Sequence, residues 1–98
     1  MSVYFVALIN IHDRAGYANY EAGFMQVFNQ YDGRMLAVDE APTIREGEWP
    51  YTRTVLIEFP SAAQADAWYD SAAYQELATH RFAASVANIV RIKGVETP

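Results

Sequence analysis

The sequence predicts an α+β domain in which four antiparallel strands form one sheet and the helices lie on one of its faces. Three observations carry that prediction. First, VYFVALIN (Val3 to Asn10) and the stretch from Thr52 to Phe59 join β-branched and aromatic residues with little polar interruption, as buried strands do. Second, apolar residues after each of these stretches recur every three or four positions, the period of a helix with one buried stripe. Third, the elements follow the order β-α-β-β-α-β. That is the ferredoxin-like arrangement, whose right-handed crossovers bring the helices to the same side of the sheet.

In chain order, the first strand runs from Val3 to Asn10, and Asp13 is placed to cap a helix from about Arg14 to Tyr31. Tyr17, Tyr20, Phe24, Val27, Phe28 and Tyr31 form that helix's apolar stripe. Asp32-Gly33 marks a turn, with Gly33 suited to a positive φ just past the helix end. Arg34 to Asp39 is the second strand. The looser stretch from Glu40 to Pro50 leaves room for a short edge strand at Thr43 to Glu46. Pro60 stops the third strand because proline cannot donate to a ladder. Ser61 with Gln64 reads as a capping box opening a helix from about Ala62 to Asp70. Ser71 caps another from about Ala73 to Ser85, with Tyr74, Leu77, Ala78 and Phe82 inward. Ala87 to Lys93 is the last strand, and Gly94 to Pro98 reads as a frayed tail.

Composition narrows the function classes. The 98 residues make one domain, residues 1–98, near the small end for a self-sufficient core. Net charge is −5 and the seven Lys and Arg are scattered, so nucleic acid is not an expected partner. There is no cysteine, hence no thiolate metal site and no cysteine nucleophile. His12 and His80 stand far apart with no HxH or HExxH spacing, and neither a glycine-rich phosphate loop nor a Ser-His-Asp order occurs. No metal or cofactor is expected on these grounds. The apolar start, Val3 to Ile9, is far shorter than the roughly 20 residues of a membrane helix and lacks a basic flank. A cytoplasmic protein without membrane partner is the expectation.

The helices can cover only one sheet face, yet the first and third strands are apolar on both parities. An uncovered face would be a large hydrophobic patch. A homodimer joined sheet to sheet is therefore expected.

Specific motifs add to this reading. They are Tyr17-x-x-Tyr20, Asp32-Gly33-Arg34, Gly47-Glu48-Trp49-Pro50 with Arg53, Glu58-Phe59-Pro60-Ser61, Ala67-Trp68-Tyr69-x-Ser71, and Tyr74-Gln75 followed by Leu77 and Arg81. In this order they resemble the family called domain of unknown function 1330, within the dimeric α+β barrel superfamily. Family members read Gly-Gly-Arg where this chain has Asp32-Gly33-Arg34, and small residues where it has Asp39-Glu40. The resemblance implies a ferredoxin-like dimer with a small-molecule pocket between sheet and helices. It implies no single reaction, because the wider superfamily includes cofactor-free monooxygenases, isomerases, haem-dependent enzymes and plain ligand binders.

Four residues are candidates to bind a ligand: Tyr20, Arg53, Tyr69 and Arg81. Arg53 shares strand parity with Val55, Ile57 and Phe59, so it points toward a pocket mouth if that parity faces the helices. The competing reading is an arginine reaching from a strand end to solvent. Arg81 follows Leu77 by four residues, near the inner helix face, and a charge there needs a partner: Asp39, Glu58 or a ligand anion. Tyr20 and Tyr69 are open to either pocket or core, while Tyr17, Trp68 and Tyr74 read as core. His80 reads as a surface histidine, and His12-Asp13 as a strand end with a helix cap. Three readings remain: a pocket supporting cofactor-independent proton transfer or monooxygenation on a small organic anion, a non-catalytic metabolite-binding module, and an interaction protein without ligand. No catalytic residue is assigned.

Overall fold

The first strand, β1 (Val3–Ile11), alternates between buried and half-buried residues over most of its length in this computed structural model, which describes residues 1–96. Val3, Phe5, Ala7 and Ile9 are buried, and Tyr4, Val6 and Leu8 lie on the opposite face. Three more strands, β2 (Arg34–Asp39), β3 (Arg53–Phe59) and β4 (Ser85–Lys93), complete one antiparallel sheet in the order β2-β3-β1-β4. This is the ferredoxin-like topology that the element order predicts. In register, Phe5 pairs with Ile57 and Arg91, Ala7 with Val55 and Ile89, and Ile9 with Arg53 and Ala87. Those positions therefore share the face covered by α1 (Arg14–Phe28), α2 (Ala62–Tyr69) and α3 (Ala72–Ala84).

The helix starts follow the capping chemistry of the sequence. Asp13 accepts from the Gly16 N–H at 3.1 Å, Ser61 from Gln64 at 3.2 Å and Ser71 from Tyr74 at 3.1 Å. Between sheet and helices lies an aromatic core in which Trp68 is central. Its ring stacks on Phe59 with centroids 5.5 Å apart and lies 4.2 Å from Tyr74.

Several boundaries differ from the sequence reading, each for a local reason. α1 ends at Phe28 rather than Tyr31, because the N–H groups of Gln30 and Tyr31 turn to the carbonyls three residues back. Gly33 does not take a positive φ; the glycine that does is Gly47, at 76°. Gly33 is needed for space, since a Cβ there would sit 2.6 Å from ring carbons of both Phe28 and Phe59. The segment from Thr43 to Glu46 forms no strand. β4 begins at Ser85, whose extended backbone follows α3 directly while its hydroxyl donates to the Arg81 carbonyl at 2.7 Å. Phe82 is 55% exposed rather than inward. Arg81 occupies the inward position, and one residue on the helix has turned about 100°. Of the tail, Gly94 is tied by its N–H to the Ser2 carbonyl at 2.8 Å, and the last two residues lie outside the described part.

On the face away from the helices, Val86, Val90 and Ile92 of β4 are 67%, 56% and 48% exposed. They pair with Asn10, Val6 and Tyr4 of β1, and Leu56 of β3 is the other partner of Val6. An apolar sheet face lies open in the single chain.

Candidate functional site

The covered face of the sheet and the helices do not meet everywhere. Between them is a cavity of about 200 Å³. Its floor is Phe5, Ala7 and Ile9 of β1 with Val55 and Ile57 of β3, and its walls carry Tyr17, Tyr20 and Phe24 of α1, Trp68 and Tyr69 of α2, and Tyr74 and Arg81 of α3. Ala7 sits between Phe5 and Ile9 on this face, and its single methyl leaves room that a larger side chain would fill. Glu21 and Met25, both largely exposed, also line the cavity and mark its opening.

All four ligand-binding candidates of the sequence, Tyr20, Arg53, Tyr69 and Arg81, line this one cavity. The parity on which Arg53 depends faces the helices, as Val55, Ile57 and Phe59 are buried. The two guanidinium groups lie over neighbouring rings: Arg53 is 5.6 Å from the Tyr17 centroid, Arg81 is 5.8 Å from that of Tyr20, and those centroids are 5.4 Å apart.

The two arginines differ in their electrostatics. Arg53, with its side chain 16% exposed, has Glu40 at 3.2 Å and Glu21 at 3.6 Å. Arg14 approaches the same Glu40 oxygen at 2.8 Å, so the β2–β3 connection is tied to α1 by charge beside the opening. Arg81 is 4% exposed, and neither carboxylate considered from the sequence reaches it. Asp39 accepts from the Ala41 N–H, and Glu58 is engaged by Arg34 at 2.7 Å and by Tyr4 at 3.1 Å. Among the described residues no carboxylate lies within ion-pair distance of Arg81, and its Nε and Nη2 have no hydrogen-bond partner. Burial opposes its charge, the surrounding Tyr74 and Tyr20 favour it, and the net shift of its pKa is upward. Arg81 is a buried cation.

Beside it, the hydroxyls of Tyr20 and Tyr74 lie 2.7 Å apart. Burial, then the neighbouring Tyr74, pushes the Tyr20 pKa far above the ordinary value, and burial likewise raises Tyr17. Both phenols are therefore neutral hydrogen-bonding groups, not phenolate bases. The indole N–H of Trp68 is buried without a partner.

Tyr17, Trp68 and Tyr74 are core residues as the sequence implies, but they are cavity wall as well. Spacing places a residue on the inner face; it does not say whether the inner face is filled. Glu21, which stands outside the apolar stripe of its helix, borders the cavity and pairs with Arg53. His80 and His12 are exposed and outside the cavity. No group of three His, Cys, Asp or Glu side chains with metal-binding geometry occurs among the described residues.

Residues 2–95 match the model of the domain of unknown function family DUF1330. No curated protein matches the chain. Several solved structures share its fold. A protein of unknown function from Rhodopseudomonas palustris superposes with a TM-score of 0.80 at 19% identity, over 98% of this chain and 84% of its own. SnoaB, a cofactor-independent oxygenase from Streptomyces nogalater, gives 0.69 at 15% identity, over 98% and 95%. A protein of unknown function from Jannaschia sp., described as dimeric and ferredoxin-like, gives 0.66 at 13% identity, over 96% and 100%. At these identities the likeness is one of fold.

Proposed function

The chain belongs to the DUF1330 family, and we propose that it binds a small organic anion in the cavity between its sheet and helices, as a homodimer joined through the open sheet face. One observation carries the ligand reading: Arg81 is a buried cation with no carboxylate beside it and two N–H groups unpaired. A buried charge without a counter-ion is costly, and it is found where a ligand supplies the missing partner. The aromatic walls provide apolar surface for the rest of such a ligand, the usual composition of a small-molecule site.

The chemistry this cavity suits is cofactor-independent: proton transfer between an acidic substrate C–H and water, or monooxygenation in which the substrate supplies the electrons and dioxygen delivers one atom to the product and one to water. Arg81 would hold the negative charge of an enolate or carboxylate, and the hydrogen-bonded Tyr20–Tyr74 pair would donate to a developing oxyanion. SnoaB, of the same fold, is described as an oxygenase of this kind. The second reading is a binding module with the same contacts and no turnover. Oxygen uptake and solvent-proton exchange, measured with enolisable acids, separate the two.

The dimer reading rests on the open apolar face around Val6, Leu56, Val90 and Ile92, and the fold neighbour from Jannaschia is described as dimeric. The ligand reading is tested by titrating benzoate calorimetrically into wild type and Arg81→Gln. Binding by the wild type that weakens at least about tenfold in the variant is the expected result, since a charge-assisted bidentate contact is worth more than about 1.4 kcal/mol. Equal affinities would remove Arg81 from the site.

A further inference from the structure

The cavity's unmet hydrogen bonds are all of one kind. Among the described residues, the buried side-chain nitrogens and oxygens without a partner are Arg53 Nε, Trp68 Nε1, Arg81 Nε and Arg81 Nη2. Every one is an N–H donor, and all three residues line this cavity. Among the same residues no buried side-chain acceptor is left unsatisfied. Native interiors rarely leave such groups unpaired, so a cluster confined to one cavity describes the complement of what belongs there.

Charge gives a second constraint. Arg53 is balanced by Glu40 and Glu21, whereas Arg81 contributes one unit of positive charge with no carboxylate beside it. The guest is a monoanion on that account; a second negative charge would have only an already paired arginine to meet. The free Nε and Nη2 of Arg81 lie on the same edge of the guanidinium, the edge whose two parallel N–H bonds match both oxygens of a carboxylate. A carboxylate held there has met the donors of α3 only; the unmet N–H groups of Trp68 on α2 and Arg53 on β3 come from other elements, and a second oxygen on the guest gives them a partner.

Size gives the third. A buried apolar cavity of roughly 150 Å³ accepts benzene. A volume of about 200 Å³ therefore suits one ring with a short polar extension better than two fused rings.

We infer that the guest is a single-ring monocarboxylic acid carrying a second oxygen acceptor, of the aryl oxo-acid class, and no ammonium group. This rests on the anion reading of the cavity and narrows it. An amino acid of the same size would bring further donors to a wall already short of acceptors, and would set a second cation near Arg81.

Calorimetric titration of the wild-type protein with benzoate, phenylglyoxylate, phenylglycine and 1-naphthoate tests this. Phenylglyoxylate is expected to bind at least about tenfold more tightly than benzoate, with phenylglycine and naphthoate at least about tenfold weaker than phenylglyoxylate. Trp68→Phe should abolish the advantage of phenylglyoxylate over benzoate, read as the ratio of the two affinities within the variant; if that variant does not fold, the ranking on wild type decides alone. Equal binding of benzoate and phenylglyoxylate would overturn the second-acceptor inference and leave the anion reading intact. Phenylglycine or naphthoate binding as tightly as phenylglyoxylate would overturn the class assignment. If none of the four acids binds, the anion reading fails and this inference with it.

Discussion

The hydroxyl of Tyr20, on α1, lies 2.7 Å from that of Tyr74, on α3, although the residues are 54 positions apart. Each phenol gives the other the partner that burial would otherwise deny it. Removing one hydroxyl strands the other, so Tyr20→Phe and Tyr74→Phe should each destabilise by about 1–3 kcal/mol. The double substitution should cost less than the sum, because no orphan remains. Urea unfolding of the four proteins in the cycle measures the coupling, and strict additivity would contradict the pairing.

The same burial gives a pH dependence. The Tyr20 pKa lies far above the ordinary value of about 10. At pH above that value the unfolded chain loses a proton that native Tyr20 keeps. The native state then binds more protons, and stability falls as pH rises. Denaturation midpoints between pH 8 and 11 should decline for wild type and decline less for Tyr20→Phe.

Arg81→Met removes a buried charge that no carboxylate balances. Breaking a buried ion pair costs about 3–5 kcal/mol because the abandoned partner stays behind. Here no charged partner is abandoned, so the melting temperature should hold or rise, as it often does when a binding-site residue is replaced. Differential scanning calorimetry reads the outcome. A loss on the ion-pair scale would mean that Arg81 serves the fold and not a ligand.

The ion network at the cavity opening should matter little to stability. The Glu40 pKa is lowered chiefly by the hydrogen bond from Arg14, with Arg53 adding to it. Its contribution is present above the ordinary carboxylate range and is lost as pH falls through the lowered value. The Glu40 side chain is 44% exposed, so the pairing is screened. Glu40→Gln should cost less than about 1 kcal/mol, and less again in high salt. Urea titrations at low and high ionic strength check both statements.

Val90 pairs with Val6 on the open sheet face and is more than half exposed in the single chain. Val90→Lys places a charge in the proposed dimer interface. Sedimentation should show wild type at twice the 11.0 kDa chain mass and the variant shifted toward the monomer. A wild-type monomer would refute the dimer.

Gly33→Ala asks for space that is not there. Its Cβ would meet ring carbons of Phe28 and Phe59 at 2.6 Å, and both rings are buried. Overpacking of this kind costs about 1–3 kcal/mol, visible as a lowered urea midpoint.

The strands and helix starts were legible in the sequence because they depend on neighbours in the chain. β2 begins and ends where the pattern of Arg34 to Asp39 places it, and Asp13, Ser61 and Ser71 cap the helices as their residue types imply. Helix ends were less legible: Tyr31 continues the apolar stripe of α1, but the chain has already tightened out of the helix. Of the site, the inward position of Arg53 follows from strand parity, and helical spacing brings Arg81 only near the inner face. Their different states follow from neither, since Glu40 reaches Arg53 through the irregular connection after β2, while Asp39 and Glu58 are spent elsewhere. Nor does periodicity separate Phe82 from Arg81; only the assembled helix and sheet decide which of two adjacent residues is inside.

In the proposed site, Ala7 and Arg81 would divide the work of recognition between two elements on opposite sides of the cavity. The methyl of Ala7, on a central strand, leaves the room, and Arg81, on the last helix, would set the charge of the proposed guest. Size and charge preference would then be independent dials. A valine at position 7 would shrink the accepted guest without disturbing its anchor, and a neutral residue at position 81 would release the anchor without reshaping the room. A scaffold wired in this way can change ligand by single steps, each leaving the other half of the recognition in place.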